Sequence, residues 1–173
     1  YFATFAESMA GIGAFLAGDK DVIQFLQYNM RSQMFAKSLP MPMVKGALKR
    51  LDMIRTMPEL KDKLWENTNS LQSGLRAAGF DLGTTKTCIT PVYLKGDVPE
   101  AMALVHDLRE NHGVFCSIVV YPVIPKGLII LRLIPTTTHT QQDIDETITA
   151  FSAIRDLLEN GTYKKIAASM MAE

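Results

Sequence analysis

The sequence is poor in the residues that build cross-links and metal cages: of 173 residues, only two are cysteine and three histidine. Cys88 and Cys116 stand far apart in apolar, strand-like contexts, with neither the crowding of a disulfide framework nor the spacing of a zinc site. They read as reduced, buried thiols. No pair among His106, His112 and His139 has ligand spacing, so no metal site is expected. Net charge is missing too. Eighteen Lys and Arg balance eighteen Asp and Glu, which leaves no global field to favour nucleic acid or an anionic membrane surface. Glu7, Asp19, Lys95 and Lys126 break the longest apolar stretches well short of the roughly 20 residues that cross a bilayer, so no membrane span is expected. Internal repeats and low-complexity segments are absent. The chain opens Tyr1-Phe2-Ala3-Thr4-Phe5 with neither an initiator Met nor the basic start of a secretory signal, which reads as a trimmed chain.

What is present is an ordinary globular composition, 47% hydrophobic and 21% charged, enough for one large or two small folded units. Residues 1 to 18 read as strand, loop and strand around Ala10-Gly11-Ile12-Gly13-Ala14, a small-residue run suited to close backbone approach. From Asp19, a possible cap, Val22, Phe25, Leu26 and Met30 recur at helical spacing until Pro40 and Pro42 interrupt. Val44, Leu48, Leu51 and Ile54 make a second helical stripe that ends near Thr56-Met57-Pro58. A third helix opens on Pro58, lines up Leu60, Leu64, Leu71 and Leu75, and stops at Gly79.

A strand is expected over Thr87 to Leu94, then a helix capped by Asp97 with Glu100 three residues on, ending at Gly113. Val114–Val120 and Leu128–Ile134, joined by a short Pro-rich connection, read as antiparallel neighbours. The last helix starts at Thr140, with Asp143 as reciprocal cap, and buries Ile144, Ile148, Phe151 and Ile154. From Pro58 onward this order predicts an α/β layer with helices on one face of a small sheet. Residues 1–57 do not close on themselves in that way and read as the end of another domain. The expected division is therefore 1–57, 58–165 and a tail at 166–173.

Spacing alone identifies no nucleophile motif, metal constellation or phosphate loop. His106 and His112 on a helix, and His139 just before one, read as structural or exposed. Arg132 stands out, because it interrupts the apolar strand Leu128–Ile134, where burial of an unpaired guanidinium is costly and a partner is expected.

Three segments carry a family likeness. Thr4-Phe5-Ala6-Glu7-Ser8-Met9-Ala10-Gly11-Ile12-Gly13-Ala14 resembles the stretch in which the pyridoxal-phosphate-dependent α-oxoamine synthases place a Thr, two residues, the Schiff-base lysine and a small-residue run. Phe25 to Pro40 resembles the next helix and phosphate-side loop of that family. Tyr121-Pro122-Val123-Ile124-Pro125-Lys126-Gly127, Leu131-Arg132-Leu133 and Thr138-His139-Thr140 resemble its C-terminal signature. The family includes serine palmitoyltransferase, glycine C-acetyltransferase and 8-amino-7-oxononanoate synthase. The likeness covers essentially the whole chain in order. It implies the C-terminal small domain of a fold-type I pyridoxal-phosphate enzyme, preceded by the end of the large domain.

The resemblance also implies chemistry. In the family the lysine amine forms an imine with the cofactor, the amino acid displaces it, the pyridine ring acts as electron sink, and the carbanion attacks an acyl-CoA thioester. Glu7 occupies the lysine position here and cannot form an imine. Lys37 is not the missing lysine, because Leu39-Pro40-Met41-Pro42 follows it instead of the small-residue run. Thr4 matches a phosphate-binding Thr, although a plain β-branched strand residue is the competing reading. Near the phosphate-side loop the best-matching position is Ala36; Lys37 or Ser38 can replace it as charge or hydroxyl, or be an ordinary exposed Lys and turn Ser. Arg132 matches the Arg that holds the substrate carboxylate, with a structural role as the alternative.

The implied partners are an amino acid, serine or glycine, and an acyl-CoA, long-chain or acetyl, in a cytoplasmic homodimer. The implied process for the serine case is sphingolipid biosynthesis. The chain itself is expected to be inactive alone, or to be a catalytically silent partner subunit.

Overall fold

A computed structural model describes residues 1–170 of the chain. It divides into two compact units, Tyr1–Pro58 and Glu59–Glu173.

In the first unit, β1 (Phe2–Thr4) and β2 (Ala14–Leu16) pair antiparallel, with Thr4 opposite Ala14, around a loop that contains a 3₁₀ turn at Glu7–Met9. Asp19 stands at the N-cap of α1 (Lys20–Asn29) but its side chain makes no cap bond. The helix ends one residue before the apolar stripe does. Asn29 Nδ2 turns back to the Phe25 carbonyl at 2.8 Å, Met30 is extended, and a short α2 (Arg31–Met34) follows. Pro40 and Pro42 start the next helix, α3 (Met41–Thr56), the first as N-cap and the second in the opening turn, where a missing N–H costs nothing. None of residues 1 to 58 is fully buried. Phe2, Ile12, Phe25 and Phe35 are each roughly two-thirds exposed or more.

The second unit holds the core. α4 (Pro58–Ala77) closes at Gly79, whose φ of +85° is the left-handed geometry that terminates a helix. β3 (Thr90–Lys95) begins later than the β-branched run suggests, because the Thr85 and Thr87 hydroxyls donate to the Ile89 carbonyl and hold those residues in a turn. α5 (Val98–Glu110) is capped by Asp97, whose carboxylate accepts from the Glu100 N–H. β4 (Ser117–Val119) and β5 (Leu128–Leu133) follow, and all three strands pair antiparallel in the order β3-β5-β4. α6 (Gln141–Glu159) opens with the full Thr140/Asp143 capping box, as expected.

Alternation along the central strand decides which face is covered. Ile129, Leu131 and Leu133 are buried with Leu71 and Leu75 of α4, Ala101, Leu104 and Leu108 of α5, and Ile144, Phe151 and Ile154 of α6. The opposite face carries Arg132 and Tyr93, both exposed, and half-buried Ile130. Helices therefore lie on one side of the sheet only, which is the α/β layer that the element order predicts.

Two expectations need correction. Residues from 166 onward are not simply a tail, since α7 (Thr162–Met170) continues the fold, and residues 171–173 lie outside the described residues. Tyr163 and Ala167, four apart, are both buried, and the Tyr163 hydroxyl donates to Asp107 on α5. Cys88 is only half-buried, whereas Cys116 is buried and its thiol is pushed up to about 11, so it is inert at neutral pH.

The Tyr163 contact has a titration consequence. Burial pushes Asp107 upward, but bonds from Asn111 and Tyr163 together with the charges of His112 and His106 outweigh it, and its carboxyl rests below the ordinary 3.8. A depressed carboxyl contributes stability above its unfolded value and loses it as pH falls through the folded one. Denaturation midpoints of the chain should therefore drop as pH falls below about 4, and Asp107→Asn should make that acid limb shallower. Superimposable limbs for the two proteins would show that Asp107 contributes nothing there.

Candidate functional site

The residues singled out by sequence fall in both units. Thr4, Glu7, Lys37 and Ser38 belong to the first and Arg132 to the second.

The loop that carries Glu7 is held by its own backbone. Phe5 N donates to Gly13 O at 2.8 Å, Gly11 N to Phe5 O at 2.6 Å, and Ala10 N to Glu7 O at 2.9 Å. The Phe5 and Phe15 rings pack 5.7 Å apart beneath it. Within this frame Glu7 has a φ of +52° and Ala10 +42°, left-handed conformations that cost non-glycine residues about 1–2 kcal/mol each. Strain of this kind persists where surrounding bonds over-determine it, and it concentrates at functional loops. Residue 7 is exposed on this loop.

The small-residue run explains how a second loop comes alongside. Gly13, whose φ of +105° other residues rarely adopt, lies against Leu39 of the 35–40 segment, and a Cβ built there would come 2.6 Å from Leu39 Cδ2, so any larger residue must displace that side chain. Lys37 and Ser38 are exposed on that segment and, among the described residues, Lys37 forms no ion pair. Thr4 is exposed on β1. The first unit thus exposes two hydroxyls, an ammonium and a carboxylate, at Thr4 on β1, Glu7 in the hairpin loop and Lys37 and Ser38 on the 35–40 segment. The hydroxyls and the ammonium suit a phosphate group.

Arg132 sits on the open face of the sheet. Its Nε donates to Ser117 Oγ at 3.3 Å, across the β4–β5 pair in which the two residues are register partners. The expected partner is thus a hydroxyl rather than a carboxylate, and no described acidic side chain pairs with Arg132. The guanidinium is not buried, because β5 is covered on one side only. The segment that follows β5 is pinned from beneath by Asn67 of α4, fully buried, whose Nδ2 donates to the Thr136 carbonyl at 2.9 Å and the His139 carbonyl at 2.8 Å. His139 Nδ1 accepts from Thr136 N at 3.0 Å, which gives this histidine a structural role in the loop. Asn67 and Ser117 carry no signal in the sequence, since each acquires its meaning from a residue distant along the chain.

The family model described as "Aminotransferase class I and II" matches residues 1–151. The chain belongs to this family. Among the class I and II aminotransferase relatives, a cysteate-C-fatty acyltransferase from Capnocytophaga ochracea is 64% identical over the whole chain and is covered to 41% of its own length. A serine palmitoyltransferase from Sphingobacterium spiritivorum is 38% identical over 84% of the chain, with 36% of its own length covered. The solved serine palmitoyltransferase from Sphingomonas wittichii matches with a TM-score of 0.79 and 27% identity over 88% of this chain and 38% of its own. The resemblance to the α-oxoamine synthases therefore holds, and the chain spans about two-fifths of the length of these relatives.

Pyridoxal phosphate is the cofactor of the α-oxoamine synthases. Hydroxyls and an ammonium, which the first unit exposes at Thr4, Ser38 and Lys37, are side-chain types able to hold a phosphate. Covalent attachment does not fit residue 7, because a carboxylate does not condense with an aldehyde. Among the described residues there is no group of three or more His, Cys, Asp or Glu that could hold a metal ion, and no helix long and apolar enough to cross a membrane.

Proposed function

We propose that this chain is part of an acyl-CoA-dependent C-acyltransferase that joins an amino acid to an acyl group. In this reading the first unit is the end of the large, cofactor-side domain and the second is the small domain that grips the amino acid. Arg132 is the observation that carries it. A guanidinium held on an open sheet face by one neutral hydroxyl, with no acidic partner among the described residues, has its charge available for a carboxylate. Thr4, Lys37 and Ser38 take the phosphate side, and Glu7 stands where the family keeps its lysine.

The amino acid follows from the relatives. Serine with a long-chain acyl-CoA, or glycine with acetyl-CoA, fits the family as a whole. The 64% relative is named for cysteate and a fatty acyl group, and we take that pair as the leading substrates. We take the complete protein to act as a homodimer in the cytoplasm, as the likeness to the α-oxoamine synthases implies. Glu7 favours a second reading, in which the chain belongs to a silent subunit that supports the active site of another.

Glu7→Lys in the complete subunit tests both. With pyridoxal phosphate, the lysine variant should retain borohydride-reducible cofactor through denaturation, and the Glu7 protein none. The variant should then release CoA from palmitoyl-CoA faster with cysteate than with serine or glycine. A lysine variant that captures no cofactor would sink the enzyme reading. One that captures cofactor but turns over only when mixed with an active subunit would establish the silent-subunit reading.

A further inference from the structure

We infer that Ser117 is a positioning residue for Arg132, and that it directs the two terminal nitrogens of the guanidinium, rather than its Nε edge, at the anionic group of the amino acid. The inference rests on the substrate-binding reading of Arg132 given above.

The geometry of the three-stranded sheet leaves Arg132 one polar neighbour in the register. β5 is the central strand, so Arg132 lies between Pro91 of β3 on one side and Ser117 of β4 on the other. Proline offers neither a side-chain polar group nor a backbone N–H. The serine hydroxyl sits directly across the pair and accepts from Nε at 3.3 Å. Next along the same face come Tyr93, opposite Ile130 in β3, and Val119, opposite Ile130 in β4. Of these only Tyr93 carries a polar atom, its hydroxyl, and the one hydrogen bond that Arg132 makes among the described residues is to Ser117.

An arginine can grip a two-oxygen anion in two ways, through Nε and one terminal nitrogen or through both terminal nitrogens. Ser117 occupies Nε, so the first mode is closed and the second remains. Neither terminal nitrogen has a hydrogen-bond partner among the described residues. The bond also restricts rotation of a long side chain that is otherwise free on an exposed surface, and this lowers the ordering cost when the ligand arrives. A hydroxyl is suited to the task because it is neutral. An acidic residue at 117 would hold the guanidinium just as firmly but would cancel the charge that the ligand needs.

The test uses the complete subunit carrying Glu7→Lys, with Arg132→Ala, Ser117→Ala and Ser117→Thr each added to it. Arg132→Ala should raise the amino-acid KM tenfold or more, and Ser117→Ala about three- to tenfold with kcat and acyl-CoA KM unchanged, the range of one ordinary hydrogen bond on an exposed face. Ser117→Thr, which keeps the hydroxyl and suits a strand, should restore the parent KM. Independently of turnover, the Nε proton of Arg132 should exchange with solvent more slowly in the parent than in Ser117→Ala, as read by ¹⁵N NMR. If Arg132→Ala leaves the amino-acid KM unchanged, the substrate-binding reading itself falls. If Arg132→Ala has its effect but Ser117→Ala matches the parent in KM and Nε exchange, the positioning role is wrong and the reading of Arg132 survives. A loss in Ser117→Ala that Ser117→Thr does not repair also overturns it, because it places the effect in strand packing rather than in the hydroxyl.

Discussion

Phe151→Ala is expected to destabilise the second unit by about 3–5 kcal/mol, the largest effect of any single change considered for this chain. Phe151 is fully buried on α6 and meets Phe80 edge to face, with ring centroids 5.5 Å apart and planes at 82°. It belongs to the same cluster as Leu75 of α4, Leu104 of α5 and Leu131 of β5. Truncation removes the transfer free energy of the ring and leaves a cavity that three helices and a sheet cannot close over, so both contributions are lost together. Phe151→Leu, which fills most of the volume, should cost less than half as much. Urea midpoints of the three proteins decide the matter. A loss under about 1 kcal/mol for the alanine variant would mean that the site collapses freely and that the core is not packed as described.

Asn67→Leu is expected to cost about 2–3 kcal/mol, although it replaces a polar side chain in a buried position by an apolar one of similar size. Two carbonyls, Thr136 and His139, lose their donor at once, and both belong to the segment between Arg132 and the capping box of α6. The damage is thus to the loop as much as to the core. Asn67→Asp separates these contributions, because it keeps the shape but presents a carboxylate to two carbonyl oxygens. It should be at least as destabilised at neutral pH and recover partly on acidification, when a protonated carboxyl can donate one bond. If Asn67→Leu proves neutral or stabilising, the two donated bonds contribute no more than the buried, unpartnered Asn67 Oδ1 costs.

Much of this architecture is legible without coordinates, because it depends on local rules. The Thr140/Asp143 box, the Asp97 cap and the stop at Gly79 each need only residues within one turn of one another. The antiparallel pairing of β4 and β5 follows from two apolar runs joined by a short connection. The small-residue run predicts close approach at Gly13, although not that Leu39 is what approaches. The likeness to the α-oxoamine synthases needs only order along the chain, and it is what proposes Thr4, Glu7, Lys37, Ser38 and Arg132 as site residues.

What is not legible depends on distance. The run Leu128–Ile134 is apolar except for Arg132, and although the element order predicts helices on one face of the sheet, it does not tell which face Arg132 takes, so its exposure and the neutral nature of its partner are decided by the sheet. α7 is missed because its burial consists of two residues, Tyr163 and Ala167, whose partners lie on another helix. Asn67 looks like any exposed helix residue until the Thr136–His139 segment arrives above it, 69 to 72 positions later.

The amino-acid sequence alone determined the chemical identity of residue 7, and with it the impossibility of an imine there, since bond-forming capacity belongs to the side chain whatever its surroundings. Only the tertiary structure decided that this carboxylate stands on a left-handed backbone in an exposed loop and that Arg132 faces outward beside Ser117. Exposure and cross-strand pairing are properties of which segments meet, and no single segment contains that information.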